Sequence, residues 1–423
     1  MSALLFHNAC QVVTCAGPAR ARRGGEMADA AVLRDVGVLV VGDRVARVGP
    51  PDELERTRPD AKRIDCGRGV LIPGLVDSHT HAVFGRPRYE EQEMRAAGVP
   101  YMEIAKRGGG IHASVRDVRQ RGLDDLADLA EVRLRQLASY GTTTVEVKSG
   151  YGLTLDEELK LLRAVARVAE RVPMRVIPTW LGAHEIPVEH RQRGDGGASY
   201  VKTLVNEMLP AVTSQRLARF ADVFCEPGVF TLDQARTILS ASRRAGLALK
   251  LHADELEPSG GAELAADVGA TSADHLAAIS DAGIAALAAS DTVATLLPGT
   301  MLFLGRPRQA PARALIEAGV AVALATDFNP GTSPTVNFPL ILTLGVSQLH
   351  MSASEAIVAA TVNGAAALGL ADHVGQIAPG FSADLALFDC EDIRELPYWY
   401  GDRRCRGTWV RGETCHPTSA PIS

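Results

Sequence analysis

Between about residue 70 and residue 370, short apolar runs alternate with longer stretches of helical periodicity, and this alternation limits the fold more than any other property of the chain. Eight runs stand out: GVLIPGLVDSHTH, TTTVEVKSG, RVIPTWLGAH, ADVFCEPG, LALKLHAD, TSADHL, TVATLLPG and AVALATDFN. Between them, a Ser or Thr followed three residues later by Glu or Gln marks helix starts, at Thr154 with Glu157, Thr231 with Gln234 and Ser352 with Glu355. A helix between two strands returns the chain to the end where the first strand began, so the strands lie parallel. Eight such units over about 300 residues predict an α/β fold, a (β/α)8 TIM-type barrel. An open doubly wound sheet is the alternative, but the first run is not followed by GxGxxG and the chain has no P-loop.

Both flanks have a different texture. Residues 3–70 read as short strands and turns, with Gly42-Asp43 breaking residues 32–49 into a hairpin. After residue 372 the segments VGQIAPGFSADLALFD and RGTWVRGE return to strand-like composition. The expected organisation is a small β-sandwich domain built from both termini, residues 1–70 and 372–423, around a barrel of residues 71–371. A chain of 423 residues that is 46% hydrophobic and 22% charged is not disordered. A net charge of −6 argues against nucleic acid as a partner, and no apolar run is long enough to make a membrane one. The seven cysteines show no CxxC spacing, and the first residues lack a basic segment leading into an apolar one. Both point to reduced thiols and a cytoplasmic location.

In such barrels the chemistry sits where the strands end. The first run ends Asp77-Ser78-His79-Thr80-His81, and strand alternation aims His79 and His81 the same way, as a metal-ligand pair would be. The third run ends at His184, the fifth at His252-Ala253-Asp254-Glu255, the sixth at Asp274-His275 and the eighth at Asp327. A single histidine at a strand end is more often structural than a ligand. Five strand ends agreeing is hard to attribute to chance.

These residues also carry a resemblance. Pro73–His81 resembles the first-strand metal motif of the amidohydrolase superfamily, and Gly375–Leu385 its return into a sandwich domain. Val83-Phe84-Gly85 with Arg88, Gly108–Ile111, Glu146–Gly152, Gly182–Glu185, His252–Glu255 and Asp327–Thr332 narrow the likeness to the imidazolonepropionase family. The resemblance implies one zinc or iron ion held by His79, His81, His252 and Asp327. It gives Asp327, His275 and Glu255 catalytic roles. It implies hydrolysis of the ring amide of 4-imidazolone-5-propanoate, with Arg88, Tyr151, His184, Glu255, Asn329, Gly331 and Thr332 contacting this small-molecule substrate in a homodimeric enzyme. An anionic arm suits a guanidinium, which grips a carboxylate through two nitrogens. Taken alone, Arg88 reads as a solvated loop charge, Tyr151 equally as barrel packing and His112 as a surface residue. The stretch 82–120 reads as a long functional loop that Gly108–Gly110 could hinge. Lys148 and Glu226 are expected in buried polar pairs, with Lys250 beside His252.

Two other readings compete. A superfamily deaminase acting on a nucleobase or another nitrogen heterocycle shares the strand-end set but has no use for a carboxylate-binding arginine. A non-catalytic assembly subunit would have lost ligands, and here all four are present.

Overall fold

A computed structural model describes residues 2–99, 103–104 and 108–417 of the chain. Eight parallel strands form one sheet in chain order: β1 (Leu75–Asp77), β2 (Thr142–Lys148), β3 (Arg175–Ala183), β4 (Phe220–Cys225), β5 (Ala248–Ala253), β6 (Ser272–His275), β7 (Val293–Leu296) and β8 (Val322–Leu324). Each lies within one of the eight apolar runs, except that β4 starts one residue ahead of its run, at Phe220. The sheet closes beyond the ends of β1 and β8. There Thr80 bridges Phe328, Asp327 N–H donates to His79 C=O at 3.1 Å, and His81 N–H donates to Phe328 C=O at 2.8 Å. Closure therefore sets the first-run histidines beside Asp327.

The flanking strands build two sheets. One has four strands in the order Arg44–Gly49, Gly37–Val41, Ala3–His7 and Lys62–Asp65. The other has six, in the order Glu413–His416, Cys405–Val410, Leu385–Phe388, Val70–Pro73, Gln11–Val13 and Val32–Leu33, so both ends of the chain share it. Phe6, Val38 and Val40 from the first sheet pack on Leu71, Leu385, Leu387 and Trp409 from the second. Gly42-Asp43 is the two-residue turn of an antiparallel hairpin, as its composition predicts. The last strands, Cys405–Val410 and Glu413–His416, pair as a second hairpin.

Two features depart from expectation. Thr231 and Ser352 form reciprocal capping boxes with Gln234 and Glu355, but the Thr154 side chain caps nothing. Glu157 turns to Lys160 instead, and the neighbouring Glu158 accepts from the backbone of Gly150, Gly152 and Leu153. The acid that organises this helix start is thus one residue later than the motif suggests. The stretch after β1 is not an open loop either, since it carries helices Tyr89–Ala96 and Ile111–Arg119.

The barrel interior is layered. Val76, Ile177 and Phe220 meet Ala365, Leu368, Leu370 and Val374 in an apolar floor. Above it lie Glu146, Lys148, Thr179, Asp222, Lys250 and Asp274, all buried, where branched aliphatic side chains are the usual filling. The histidines stand on this charged layer. All seven cysteines are free thiols. Among the described residues no helix is long and apolar enough to cross a membrane.

Candidate metal centre and substrate cavity

Strand ends β1, β5, β6 and β8 bring His79, His81, His252, His275 and Asp327 together. His79 lies 4.5 Å from His252, 5.3 Å from His81 and 5.3 Å from His275, between ring centroids. Asp327 Oδ1 stands 3.5 Å from His79 Nε2 and 3.6 Å from His81 Nε2. Ligand atoms of His79, His81 and His252, and again of His79, His275 and Asp327, fall within 4.8 Å of one another. His275 and Asp327 adopt left-handed φ values of 80° and 51°, a conformation that costs energy in non-glycine residues and gathers at functional sites.

The donors fit a divalent cation. His79 Nε2, His252 Nε2 and His275 Nε2 are buried without a hydrogen-bond partner in the protein, a costly state unless a ligand supplies one. Burial holds the His79, His81 and His275 rings well below the usual imidazole range, so their nitrogens stay neutral and available. Charge points the same way. Four buried carboxylates (Glu146, Asp222, Asp274, Asp327) face two buried ammoniums (Lys148, Lys250), leaving two negative charges in excess. A divalent ion offsets that excess. Asp77, pushed up to about 7 by burial, accepts from Thr326 N–H and Oγ1 at the β1–β8 seam instead.

Burial also pushes Asp327 up, to about 6, against the Thr300 hydroxyl that donates to it at 2.5 Å. Glu255 is pushed well above the carboxylate range by burial and by the nearby Asp327 and Glu226 carboxylates. Its Oε2 lies 3.6 Å from His275 Nδ1. Glu226 is buried, as expected, and its polar partners are backbone amides. Its carboxylate accepts from Glu255 N–H at 3.2 Å and Glu257 N–H at 2.8 Å, and so shapes the turn that carries Glu255. Lys148 and Lys250 are paired as expected, Lys148 with Glu146 and Asp222 and Lys250 with the Ser78 carbonyl.

A cavity of about 960 Å³ opens over this cluster, lined by His81, His252, His275, Asp327 and Glu255 below and by Arg88, Tyr151, His184, Asn329, Thr332 and His112 higher up. His184 stacks on His81 with ring centroids 4.9 Å apart, and its Nδ1 donates to Gly150 C=O at 3.0 Å. A Cβ on Gly150 would stand 2.9 Å from that nitrogen, and its φ is 101°, so only glycine allows the approach. Burial drives His184 down to about 3. Tyr151 is buried beside it, with ring centroids 5.3 Å apart.

Arg88 is not a solvated charge. Its side chain is 9% exposed, with Nε 3.3 Å from Glu91 Oε1 and Nη1 donating to Ser114 Oγ at 3.2 Å. The guanidinium lies flat on Gly331, where a Cβ would come within 1.6 Å of Nη2. Gly331 therefore makes room for the arginine instead of lining the cavity. Asn329 spends its amide inside its own turn, donating to Asp327 C=O and Thr332 Oγ1 and accepting from the Gly331 and Thr332 amides. His112 is half-buried and lines the cavity, where its sequence context suggests a surface role. Gly108 and Gly110 both have left-handed φ, but Gly110 N–H is tied to Glu91 at 2.7 Å. Sequence reasoning passed over Glu91, Asp222 and Thr300, and named Asp274 as a strand-end residue without giving it a role. The two aspartates could have been tied to the histidines by period-two alternation, since the register places Asp274 beside His252 on one face of the sheet.

Residues 107–416 match the model of the amidohydrolase family. The imidazolonepropionase of Solibacter usitatus is 43% identical over 420 residues, covering 99% of each chain. That of Symbiobacterium thermophilum is 47% identical over 402 residues, 94% of this chain and 93% of its own. Among solved structures, a zinc-bound adenosine deaminase from Xanthomonas campestris superposes with a TM-score of 0.72 at 18% identity over 99% of this chain and 94% of its own. A triazine hydrolase variant gives 0.73 at 18%, over 99% and 96%. At that identity the two structures share the fold alone. The sequence likeness runs the length of the chain, and with the strand-end cluster already in place it shows that this chain belongs to the imidazolonepropionase family of amidohydrolases.

Proposed function

We infer that the chain hydrolyses the ring amide of 4-imidazolone-5-propanoate to N-formimidoyl-L-glutamate. The observation that carries this reading is the pairing, in one cavity, of a buried His/Asp cluster with an arginine whose side chain is largely covered and lines the same space. His79, His81, His252 and Asp327 are the proposed holders of one zinc or iron ion per chain. Such an ion polarises a carbonyl and lowers the pKa of a bound water toward about 7.

This chain's own residues do the rest. Arg88 takes the propionate carboxylate on its outer nitrogens, because Glu91 occupies its Nε edge and Gly331 its face. Tyr151 and His184 flank the planar ring, with the Nδ1–H of His184 committed to Gly150. The ring's amide carbon then lies toward the histidine cluster. Asp327, held near 6, accepts a proton from the attacking water and delivers it to the ring nitrogen as the carbon–nitrogen bond breaks. The hydroxyl stays on the carbonyl carbon as a carboxylic acid, which gives up its remaining proton to solvent as the carboxylate product forms. Glu255, whose carboxyl is pushed well above the usual carboxylate range by burial and by the Asp327 and Glu226 carboxylates, offers the substrate a hydrogen bond, with His275 beside it as a neutral partner. Asn329 and Thr332 shape the loop around Arg88.

A deaminase would use the same strand ends, but Arg88 and its seating would have no partner in a nucleobase. The test is loss of imidazolone absorbance with zinc- or iron-loaded protein, alongside a panel of amino-heterocycles. Ring opening with no ammonia release supports the reading. Ammonia release from a heterocycle with the imidazolone untouched would overturn it.

A further inference from the structure

Below the histidines lies a set of contacts that the reaction does not use directly. His79 Nδ1 is 2.6 Å from Asp274 Oδ2, with both side chains fully buried. His252 Nδ1 is 3.0 Å from Asp222 Oδ2, a charge contact without hydrogen-bond alignment. Lys148 Nζ stands between the two acids, 2.7 Å from Asp222 Oδ2 and 3.8 Å from Asp274 Oδ2. Its remaining contact is Glu146, which touches no imidazole of the cluster but is itself held by Thr179. His81 has no carboxylate behind its ring: its Nδ1 is buried and unpartnered.

We propose that Lys148 is a shared positioning residue that fixes two metal-binding imidazoles at once, His79 through Asp274 and His252 through Asp222. This rests on the metal-centre reading above. An ionised carboxylate only accepts, so the hydrogen-bonded His79 ring must place its proton on Nδ1 and turn Nε2 toward the centre, and the Asp222 carboxylate 3.0 Å from His252 Nδ1 favours the same tautomer there. One ammonium between two acids ties their positions together, so a shift at one strand end is felt at the other. The two anchored rings come from β1 and β5, nearly opposite in the sheet order, and Lys148 from β2 bridges them. His81 is left to orient by packing on His184.

The test uses cobalt(II), whose visible spectrum reports ligand geometry, with the dissociation constant measured against a chromophoric chelator. Asp274→Asn and Asp222→Asn preserve side-chain volume and should each weaken cobalt binding about 10–100-fold, the range for loss of a group that orients a ligand, with altered absorption bands. The double variant should lose less than the product of the two, because Lys148 is the ammonium that contacts both acids, whereas Lys250 reaches Asp274 and not Asp222. Glu146→Gln removes a charge from the same layer without loosening a ring, so it should leave the bands as they are. Equal weakening by Glu146→Gln and Asp274→Asn would reduce the effect to charge alone and overturn the positioning role. Strict multiplicativity would overturn the sharing. Nitrogen-15 spectra of histidine-labelled metal-free wild type add a measurement that needs no folded variant: His79 and His252 should both be protonated at Nδ1, and an Nε2-protonated His79 refutes the arrangement. A wild type that takes up no cobalt brings down the metal-centre reading itself, and this proposal with it.

Discussion

The two interiors of this molecule are filled in opposite ways. In the sandwich, Phe6 meets Trp409 edge-on at 4.8 Å, and valines and leucines from both sheets close around them. In the middle of the barrel, the same depth is given to three acids and two lysines. Apolar burial contributes about 25 cal/mol per Å² and needs no partner, whereas each buried charge needs several. The sandwich core serves stability. The barrel core gives up part of that contribution to hold imidazoles in fixed orientations, and the layered helices and apolar floor around it must compensate.

If that contrast is right, damage to the two interiors should separate cleanly. The largest effect is expected at the barrel mouth. Exhaustive chelation should abolish turnover, with zinc or ferrous iron restoring it. Asp327→Asn, which keeps shape but cannot take a proton, should lower kcat by about two orders of magnitude or more with metal retained. Near-normal kcat in that variant would remove Asp327 as proton carrier. The matching experiment in the sandwich is Trp409→Ala. It should cost about 3–5 kcal/mol of stability, seen as a lower denaturation midpoint, while kcat per folded molecule stays unchanged. A fall in kcat among folded molecules would mean that the two interiors are coupled.

The same contrast explains what the sequence reveals. All eight barrel strands are legible because apolar runs of six to thirteen residues between helical stretches have few other ways to fold, and the strand-end histidines and Asp327 are legible because they end those runs. The sandwich hairpin at Gly42-Asp43 is visible from turn chemistry alone. What stays hidden depends on distance along the chain. Asp274 is 195 residues from the His79 it holds, and Asp222 is 74 from Lys148. A buried acid inside a strand looks like an interruption of the apolar pattern until the barrel closes around it. Arg88 reads as a surface charge because its burial depends on Glu91 and on Gly331, 243 positions later (331 − 88). Thr154 shows the reverse case: its local motif is complete, but Lys160 draws Glu157 away.

A smaller effect probes the upper wall of the cavity, where the side chains come from loops and short helices, not strands. Arg88→Ala leaves a substrate carboxylate partly desolvated and unpaired, at a cost of about 2–5 kcal/mol in kcat/KM. Most of that should fall on KM if the arm is held equally in ground and transition states. Arg88→Lys should recover only part, since an ammonium lacks the planar fork. Wild type should prefer the acid over its methyl ester, and Arg88→Ala should lose most of that preference. A mutant that keeps the full preference would place the arm elsewhere in the cavity.

The smallest effect lies outside both interiors, at the helix starts on the barrel's rim, and there two similar motifs should behave differently. Ser352 Oγ accepts from Glu355 N–H at 3.2 Å, and Glu355 Oε2 accepts from Ser352 N–H at 2.7 Å, so two otherwise unpaired donors are satisfied. Thr154 occupies the same position before its helix with no such bond. Ser352→Ala should therefore lower stability by about 0.5–2 kcal/mol, and Thr154→Ala by far less. Neither should change metal affinity, because both caps stand on the outer ring and touch none of the buried charges. Glu355 also pairs with Arg313 at 2.9 Å, so Arg313→Ala is the control that separates the cap from the ion pair. Equal losses from Ser352→Ala and Thr154→Ala in urea titrations would show that the capping contact contributes nothing of its own, and that helix starts here are set by packing alone.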